Sequence, residues 1–395
     1  MNTEPKKPRL IFLDNIKVLF SILVIFQHVR VTFGGSGWWY YIESPPVDTF
    51  SIIFFTTLSS VGGLFQASLM GLFFLLGGYF TPKSYDRKGV RSFWKERLLR
   101  LGIPILLYVA IINPIMVYSL SALGIYPWPL PETLLSFLTF WGPMWFLTVL
   151  LLFTTSYTLW RQITKFDSIQ RRIPKEFAIP KYAYLLLFAI SLGFFTFLLR
   201  LVTPIDQNLL GIPFSFIIQY LMMFSVGIIA VRYEWVEKMT KNHVKVWVII
   251  IATAFILFFM YAAFFVGLDS DLSVFLGGFN LHALLFALVE SIICMGMIFV
   301  LIKIFYAKFN KQGKILQNLS SSAFYIYLIH PPILVLVSLG FASIPLIPVL
   351  KLAVVFLLTI IICYLISHFG LEKIHLKKRT RVTQNNLEQK KQKTI

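Results

Sequence analysis

The sequence predicts an all-α protein: a polytopic membrane helix bundle of about ten transmembrane helices, with both termini in the cytoplasm. Three observations carry that expectation. Hydrophobic residues make up 57% of the 395 and charged residues only 13%, with a mean hydropathy of +0.77. The apolar residues gather into runs of the length a bilayer core demands, about 17 to 25 residues each. The basic residues crowd the short segments between alternate runs, the pattern of cytoplasmic loops. A net charge of +19 spread in that way is topology signal rather than a binding face, and it excludes nucleic acid as a partner.

The runs lie near 15–34, 62–80, 101–123, 143–160, 183–201, 214–231, 246–266, 280–302, 321–340 and 350–368. Residues 1–14 read as a cytoplasmic N-terminal segment, 15–370 as the membrane domain, and 371–395 as a basic, disordered cytoplasmic tail rich in Gln, Asn and Lys. Lys6, Lys7 and Arg9 before the first run imitate a signal peptide. Asp14 and Lys17 at the run's start, and the lack of a small-residue cleavage site, mark it instead as a retained helix. Asp14-Asn15 is its expected polar start and Gly34-Gly35 with Gly37 its exit. The apolar stretch 50–80 is too long for one perpendicular helix, yet a second crossing there would invert every later loop. Residues 51–61 are therefore expected to be interfacial or re-entrant, with Gly62-Gly63 as the break.

Orientation follows from charge. The 83–100 segment carries Lys83, Arg87, Lys88, Arg91, Lys95, Arg97 and Arg100, and 161–181 adds Arg161, Lys165, Arg171, Arg172, Lys175 and Lys181. Alternate segments carry mainly acids: Glu43 and Asp48, Glu132, Asp206, then Asp269 and Asp271. Arg30, Arg200 and Lys351 break the pattern near outer helix ends, where snorkelling is the expected explanation. Trp38 to Tyr41, Tyr126 and Trp128 suit an outer aromatic belt. Cys294 and Cys363 both fall in apolar runs and read as free thiols. No fixed-period repeat is visible, and no metal-ligand pattern is expected.

A few ionisable groups interrupt otherwise lipid-compatible runs, and such groups face a cavity or a partner. Lys17 and His28 are eleven residues apart, about 16.5 Å and three turns of helix, so they fall on nearly one face. His28 has the near-neutral basicity of a general base for a hydroxyl; the competing reading is a structural histidine bridging helices. For Lys17 the competitor is a snorkelling lysine. Arg97 and Arg100, three apart, would share a helix face and pinch an anionic group such as a phosphate, or simply touch lipid headgroups. His330 precedes Pro331 and Pro332, which remove two amide donors and expose the carbonyls of Tyr327 and Leu328. Glu290, mid-run, must be paired or protonated. Gly142-Pro-Met-Trp145 reads as a helix start with an interfacial tryptophan.

Taken together these segments resemble the acyltransferase 3 family of bacterial membrane O-acyltransferases, over roughly 9–370. The family's basic residue, ten intervening residues and histidine match Lys17 and His28, with lysine where members often have arginine. Its Arg-x-x-Arg matches Arg97 and Arg100, preceded by the Gly77-Gly78-Tyr79 helix end. Gly142-Pro-Met-Trp-Phe-Leu147, Glu290-Ser-Ile-Ile-Cys-Met-Gly296 and Tyr327-Leu-Ile-His-Pro-Pro332 also look similar. Within the family they look most like the glucan biosynthesis protein C branch, which modifies periplasmic glucans.

The resemblance implies transfer of an acyl group, acetyl or succinyl, from cytoplasmic acyl-CoA to a hydroxyl of an extracytoplasmic saccharide, lipid-linked acceptor or other envelope molecule. His28 would be the base, Lys17 would line the thioester path, and Arg97 with Arg100 would hold the CoA phosphates. Trp145, Glu290, Tyr327 and His330 would line or support the cavity. Acyl-CoA is a co-substrate, and no tightly bound cofactor is implied. The large extra domains of some members are absent, so the helices and short loops would recognise the acceptor. Two other readings remain: a proton-coupled exporter of a saccharide or lipid-linked precursor, for which a paired inner-loop arginine is unnecessary, and a catalytically dead member acting as a sensor or assembly partner.

Overall fold

The computed structural model describes residues 10–164, 174, 176–267 and 272–371. Several expectations lie outside those residues: the segment 1–9, the tail from 372, Asp269 with Asp271, and residues 165–173 and 175 of the basic 161–181 segment. The helices are α1 (Ile11–Thr32), α2 (Thr49–Arg97), α3 (Ile103–Leu107), α4 (Asn113–Ala122), α5 (Leu134–Leu138), α6 (Trp145–Ile163), α7 (Tyr182–Arg200), α8 (Ile217–Arg232), α9 (Lys241–Tyr261), α10 (Leu281–Lys308), α11 (Lys314–Phe341) and α12 (Pro348–Leu365). Among the described residues there is no strand, only an isolated bridge between Leu209 and Ile212.

Nine helices among the described residues are long and apolar enough to cross a membrane. One is Thr49–Ala122, 74 residues, which if straight would reach ~110 Å against a hydrocarbon core of about 30 Å. Gly89 breaks it with φ 70 and ψ 166, a backbone that glycine alone adopts without strain. The expected runs 62–80 and 101–123 lie on either side of that break, so nine helices hold all ten runs. Beyond the break the helix widens into π-turns at Leu98–Gly102 and Tyr108–Ile112. Pro104 and Pro114 follow those turns, and a proline ring crowds the carbonyl four residues back, which a wider turn relieves.

Two expectations about α2 are corrected. Residues 51–61 are not re-entrant: they continue the same helix, which passes through Gly62-Gly63 without a break. In an apolar surrounding an unbroken helix is the one local state that bonds every amide internally, and this outweighs two glycines. Nor is Gly77-Gly78-Tyr79 a helix end. It lies inside α2, where a Cβ on Gly78 would collide with the Phe224 carbonyl of α8 and one on Gly227 of α8 with the Leu75 carbonyl. The glycines let two backbones touch, as small residues do between membrane helices. Gly78→Val is expected to destabilise the protein by at least about 1–3 kcal/mol, read as a lower unfolding temperature in detergent.

The chain divides into two compact units. The first comprises Met1–Thr57, Leu120–Pro127 and Phe309–Ile395, with α1 packed on α11 and α12 and these two on each other. Asn15, buried in α1, ties the loop before α11. Its amide donates to the carbonyls of Phe309 (2.7 Å) and Lys311 (3.1 Å) and accepts from Gln312 (2.7 Å). Asn15→Ala should cost about 0.5–1.5 kcal/mol for each hydrogen bond lost, again visible in thermal unfolding. Asp48 caps α2 by accepting from the Ser51 amide at 2.8 Å. That bond holds its carboxyl below the ordinary aspartate value, so the cap is complete above the usual aspartate range and fades as pH falls through the lowered value.

The second unit comprises Leu58–Ser119 and Trp128–Lys308. Here α10 packs on α9 and α7, and α7 on α8. Leu64, Phe258, Phe275, Phe286 and Ile293 form one apolar core cluster within it. A Cβ on Gly193 of α7 would come within 2.7 Å of the Leu288 backbone of α10, so this crossing too depends on a missing side chain.

Three basic residues expected to snorkel do not. Arg30, Arg200 and Lys351 are 4%, 0% and 4% exposed. Arg30 donates to Gln27 and to the Ser36 carbonyl (2.7 Å), Lys351 pairs with Glu43, and Arg200 pairs with Glu290. Each had a nearby protein acceptor, which satisfies a cation without reaching for water. The aromatic belt is corrected likewise: Trp39, Tyr40 and Tyr41 are buried in the first unit.

Candidate active site

In the first unit, α1 presents His28 beside Trp39 and His330. The His28 and Trp39 rings stack at 4.0 Å between centroids and 19°, and the His28 and His330 rings at 5.4 Å and 18°. Trp39 and His330 lie 6.1 Å apart at 14°. Near-parallel rings direct their in-plane nitrogens sideways, so the two histidines do not hydrogen-bond each other. Neither nitrogen of His28 meets a hydrogen-bond partner among the described residues, and the side chain is partly exposed. His330 is fully buried.

The sequence supplies the device that sets His330. Proline at 331 has no amide to give the carbonyl four residues back, and that carbonyl belongs to Tyr327. His330 Nδ1 lies 2.7 Å from it. A carbonyl only accepts, so Nδ1 carries a proton, and Nε2 is the nitrogen left over, itself buried. No partner for Nε2 is present among the described residues. Tyr327 thus enters through its backbone carbonyl, and its ring lies 5.8 Å from the His330 ring at 41°. Helix α11 continues through both prolines.

Lys17 sits on the same helix as His28, and its ammonium is 3.0 Å from Asp14, one turn away. In the second unit, Arg97 donates to Thr81 Oγ1 (3.0 Å) and lies over Phe93 at 5.2 Å. Arg100 is exposed. The π-turn starting at Leu98 widens the backbone between them. Nearby, Arg161 binds both oxygens of Asp86 (2.7 and 3.4 Å) and the Tyr157 hydroxyl (3.0 Å).

Trp145 opens α6 after the short 3-10 turn Gly142–Met144. It stacks on Tyr220 at 5.8 Å, and Tyr220 stacks in turn on Phe74 and Phe216. Glu290 is fully buried and paired: Arg200 Nη2 lies 2.6 Å from its Oε2, and Gln219 Nε2 donates to the same oxygen (3.2 Å) and to Ser291 (2.9 Å). Sequence reasoning missed Trp39, assigned to an outer interfacial belt, and Arg200, assigned to snorkelling. Tyr220 and Gln219 it did not single out. A basic residue breaking the charge pattern near one end of a run, with a carboxylate mid-run elsewhere, was the available signal for the Arg200–Glu290 pair.

An all-α polytopic membrane protein with stacked histidines and a buried ion pair among its spans is the class these features define. The chain belongs to the acyltransferase 3 family: the family described as "Acyltransferase domain" matches residues 10–368. Among curated proteins it is similar to those named "Glucans biosynthesis protein C" from Salmonella paratyphi B, Salmonella dublin and Salmonella heidelberg, each 27% identical over 194 residues. Those matches cover 48% of this chain and 46% of each relative, so the chain spans about half the length of the curated relatives it matches. No solved structure matches.

Proposed function

We infer that this protein is a membrane O-acyltransferase that moves an acyl group from acyl-CoA to a hydroxyl of a saccharide or envelope molecule across the bacterial cell membrane. The observation that carries the reading is the His28–Trp39–His330 stack in a chain of the acyltransferase 3 family. In it a partly exposed imidazole, free to accept a proton, rests on a flat aromatic wall. A second, buried imidazole, held at Nδ1 by the Tyr327 carbonyl, lies near-parallel to the first.

In this account both termini face the cytoplasm, as the basic 83–100 segment requires. Acyl-CoA approaches from that side, where Arg97 and Arg100 neutralise its phosphates; Arg97 is steadied by Thr81, and Arg100 is exposed. Lys17 and Asp14 mark the inner end of the helix that carries His28 about 16.5 Å further along. His28 takes the proton of the acceptor hydroxyl as its oxygen attacks the thioester carbonyl. The C–O bond forms, the C–S bond breaks, and CoA leaves as the thiolate or, after protonation, the thiol. A route through an acyl intermediate uses the same base twice. Trp39 holds the imidazole plane, and His330 keeps the stack in register. Acetyl and succinyl are the acyl groups proposed, and an extracytoplasmic saccharide or lipid-linked precursor is the proposed acceptor.

Purified protein in liposomes tests the donor side. Arg97→Ala with Arg100→Ala is expected to raise the acyl-CoA concentration for half-maximal turnover roughly 10-fold or more, given ~1.5–3 kcal/mol for hydrogen bonds to charged groups. Unchanged dependence on acyl-CoA would remove these arginines from the donor site.

A further inference from the structure

The Arg200–Glu290 pair does more than neutralise itself. Its guanidinium carbon lies 4.9 Å from the Phe216 ring centroid and 5.7 Å from that of Phe286, so aromatic rings take its faces and only its edges remain for hydrogen bonds. Nη2 binds Glu290, while Nε and Nη1 meet no partner among the described residues. Glu290 Oε1, Gln219 Oε1 and the hydroxyls of Tyr220, Thr196 and Ser215 are likewise buried and unmet. Unmet polar atoms are rare in folded proteins and costly in apolar surroundings. Here many belong to one ion pair and to side chains within a turn or so of it on α7, on α8 or on the turn leading into α8.

Their mixture restricts what can satisfy them. Arg200 offers only protons, and the free oxygens of Glu290 and Gln219 only accept them. An anion would face the Glu290 carboxylate and a cation the Arg200 guanidinium. A hydroxyl oxygen serves both, accepting from Arg200 and donating to Glu290 or Gln219. Phe216, Tyr220 and Trp145 continue from the pair as stacked rings, with Tyr220 fully buried and Trp145 partly exposed.

We propose that Arg200, Glu290 and Gln219, with Tyr220, Thr196 and Ser215, form a hydroxyl-binding site inside the second unit, taking water or a hydroxyl of a neutral saccharide. The site stands on these contacts alone; only its saccharide source rests on the acyl-transfer reading.

X-ray hydroxyl-radical footprinting of the full-length protein in nanodiscs tests it, because radicals made from water in place oxidise a buried ring only where water adjoins it. Tyr220 is fully buried, yet it should be oxidised several-fold faster than Phe258 of the apolar core, after correction for intrinsic reactivity. In the double variant Arg200→Met with Glu290→Met, that excess should vanish. A glucose oligosaccharide added to wild type separates the two sources: protection of Tyr220 assigns the site to a saccharide hydroxyl, and an unchanged rate assigns it to water. Oxidation of wild-type Tyr220 no faster than Phe258, or an excess that persists in the double variant, would overturn the proposal. No acyl transfer is read, so failure of the acyltransferase account leaves this result interpretable.

Discussion

His28→Ala is expected to lower acyl transfer about 10²–10⁴-fold, the usual contribution of a positioned general base, while the protein still inserts and folds. The geometry explains why the two effects separate. His28 is partly exposed and makes no hydrogen bond to the described residues, so its loss strands no buried donor. What is lost structurally is its stacking on Trp39, about 0.5–1.5 kcal/mol. His28→Phe keeps a ring on that wall and should be as inactive as alanine, which distinguishes a proton acceptor from a packing residue. Activity within a few-fold of wild type in the phenylalanine variant would show that the ring shape, not its basicity, is what matters.

The second large effect is structural. Glu290→Leu is expected to destabilise the protein by about 3–5 kcal/mol, because it leaves the Arg200 charge buried without its counterion. Arg200→Met in the same protein should return most of that loss, since two apolar groups of similar shape replace a pair that was expensive to desolvate. Thermal unfolding of the single and double variants in one detergent measures both. A double variant as unstable as Glu290→Leu would mean that packing at α10, rather than the unpaired charge, sets the cost.

Much of this architecture is legible in the sequence. Composition and run length give the all-α membrane class because a bilayer leaves the backbone no other state here. The proline pair at 331–332 announces an exposed carbonyl at Tyr327, and the structure shows His330 bound to it. What the sequence hides is which neighbour a buried group finds. Arg30, Arg200 and Lys351 look like lipid-edge cations until Ser36, Glu290 and Glu43 are seen beside them. Trp39 looks interfacial until its stack with His28 is seen. Glycine is ambiguous for a related reason: Gly62, Gly78 and Gly89 are chemically alike, yet one is open helix surface, one a backbone contact and one a break. Only packing tells them apart.

The central claim, acyl transfer through His28, is tested most directly with inverted membrane vesicles supplied with radiolabelled acetyl-CoA, and with labelled succinyl-CoA in parallel. The account predicts that label reaches a lumenal, base-labile ester with wild-type protein and not with His28→Ala present at equal abundance. Equal labelling by both proteins, or none by wild type from either donor, would contradict it.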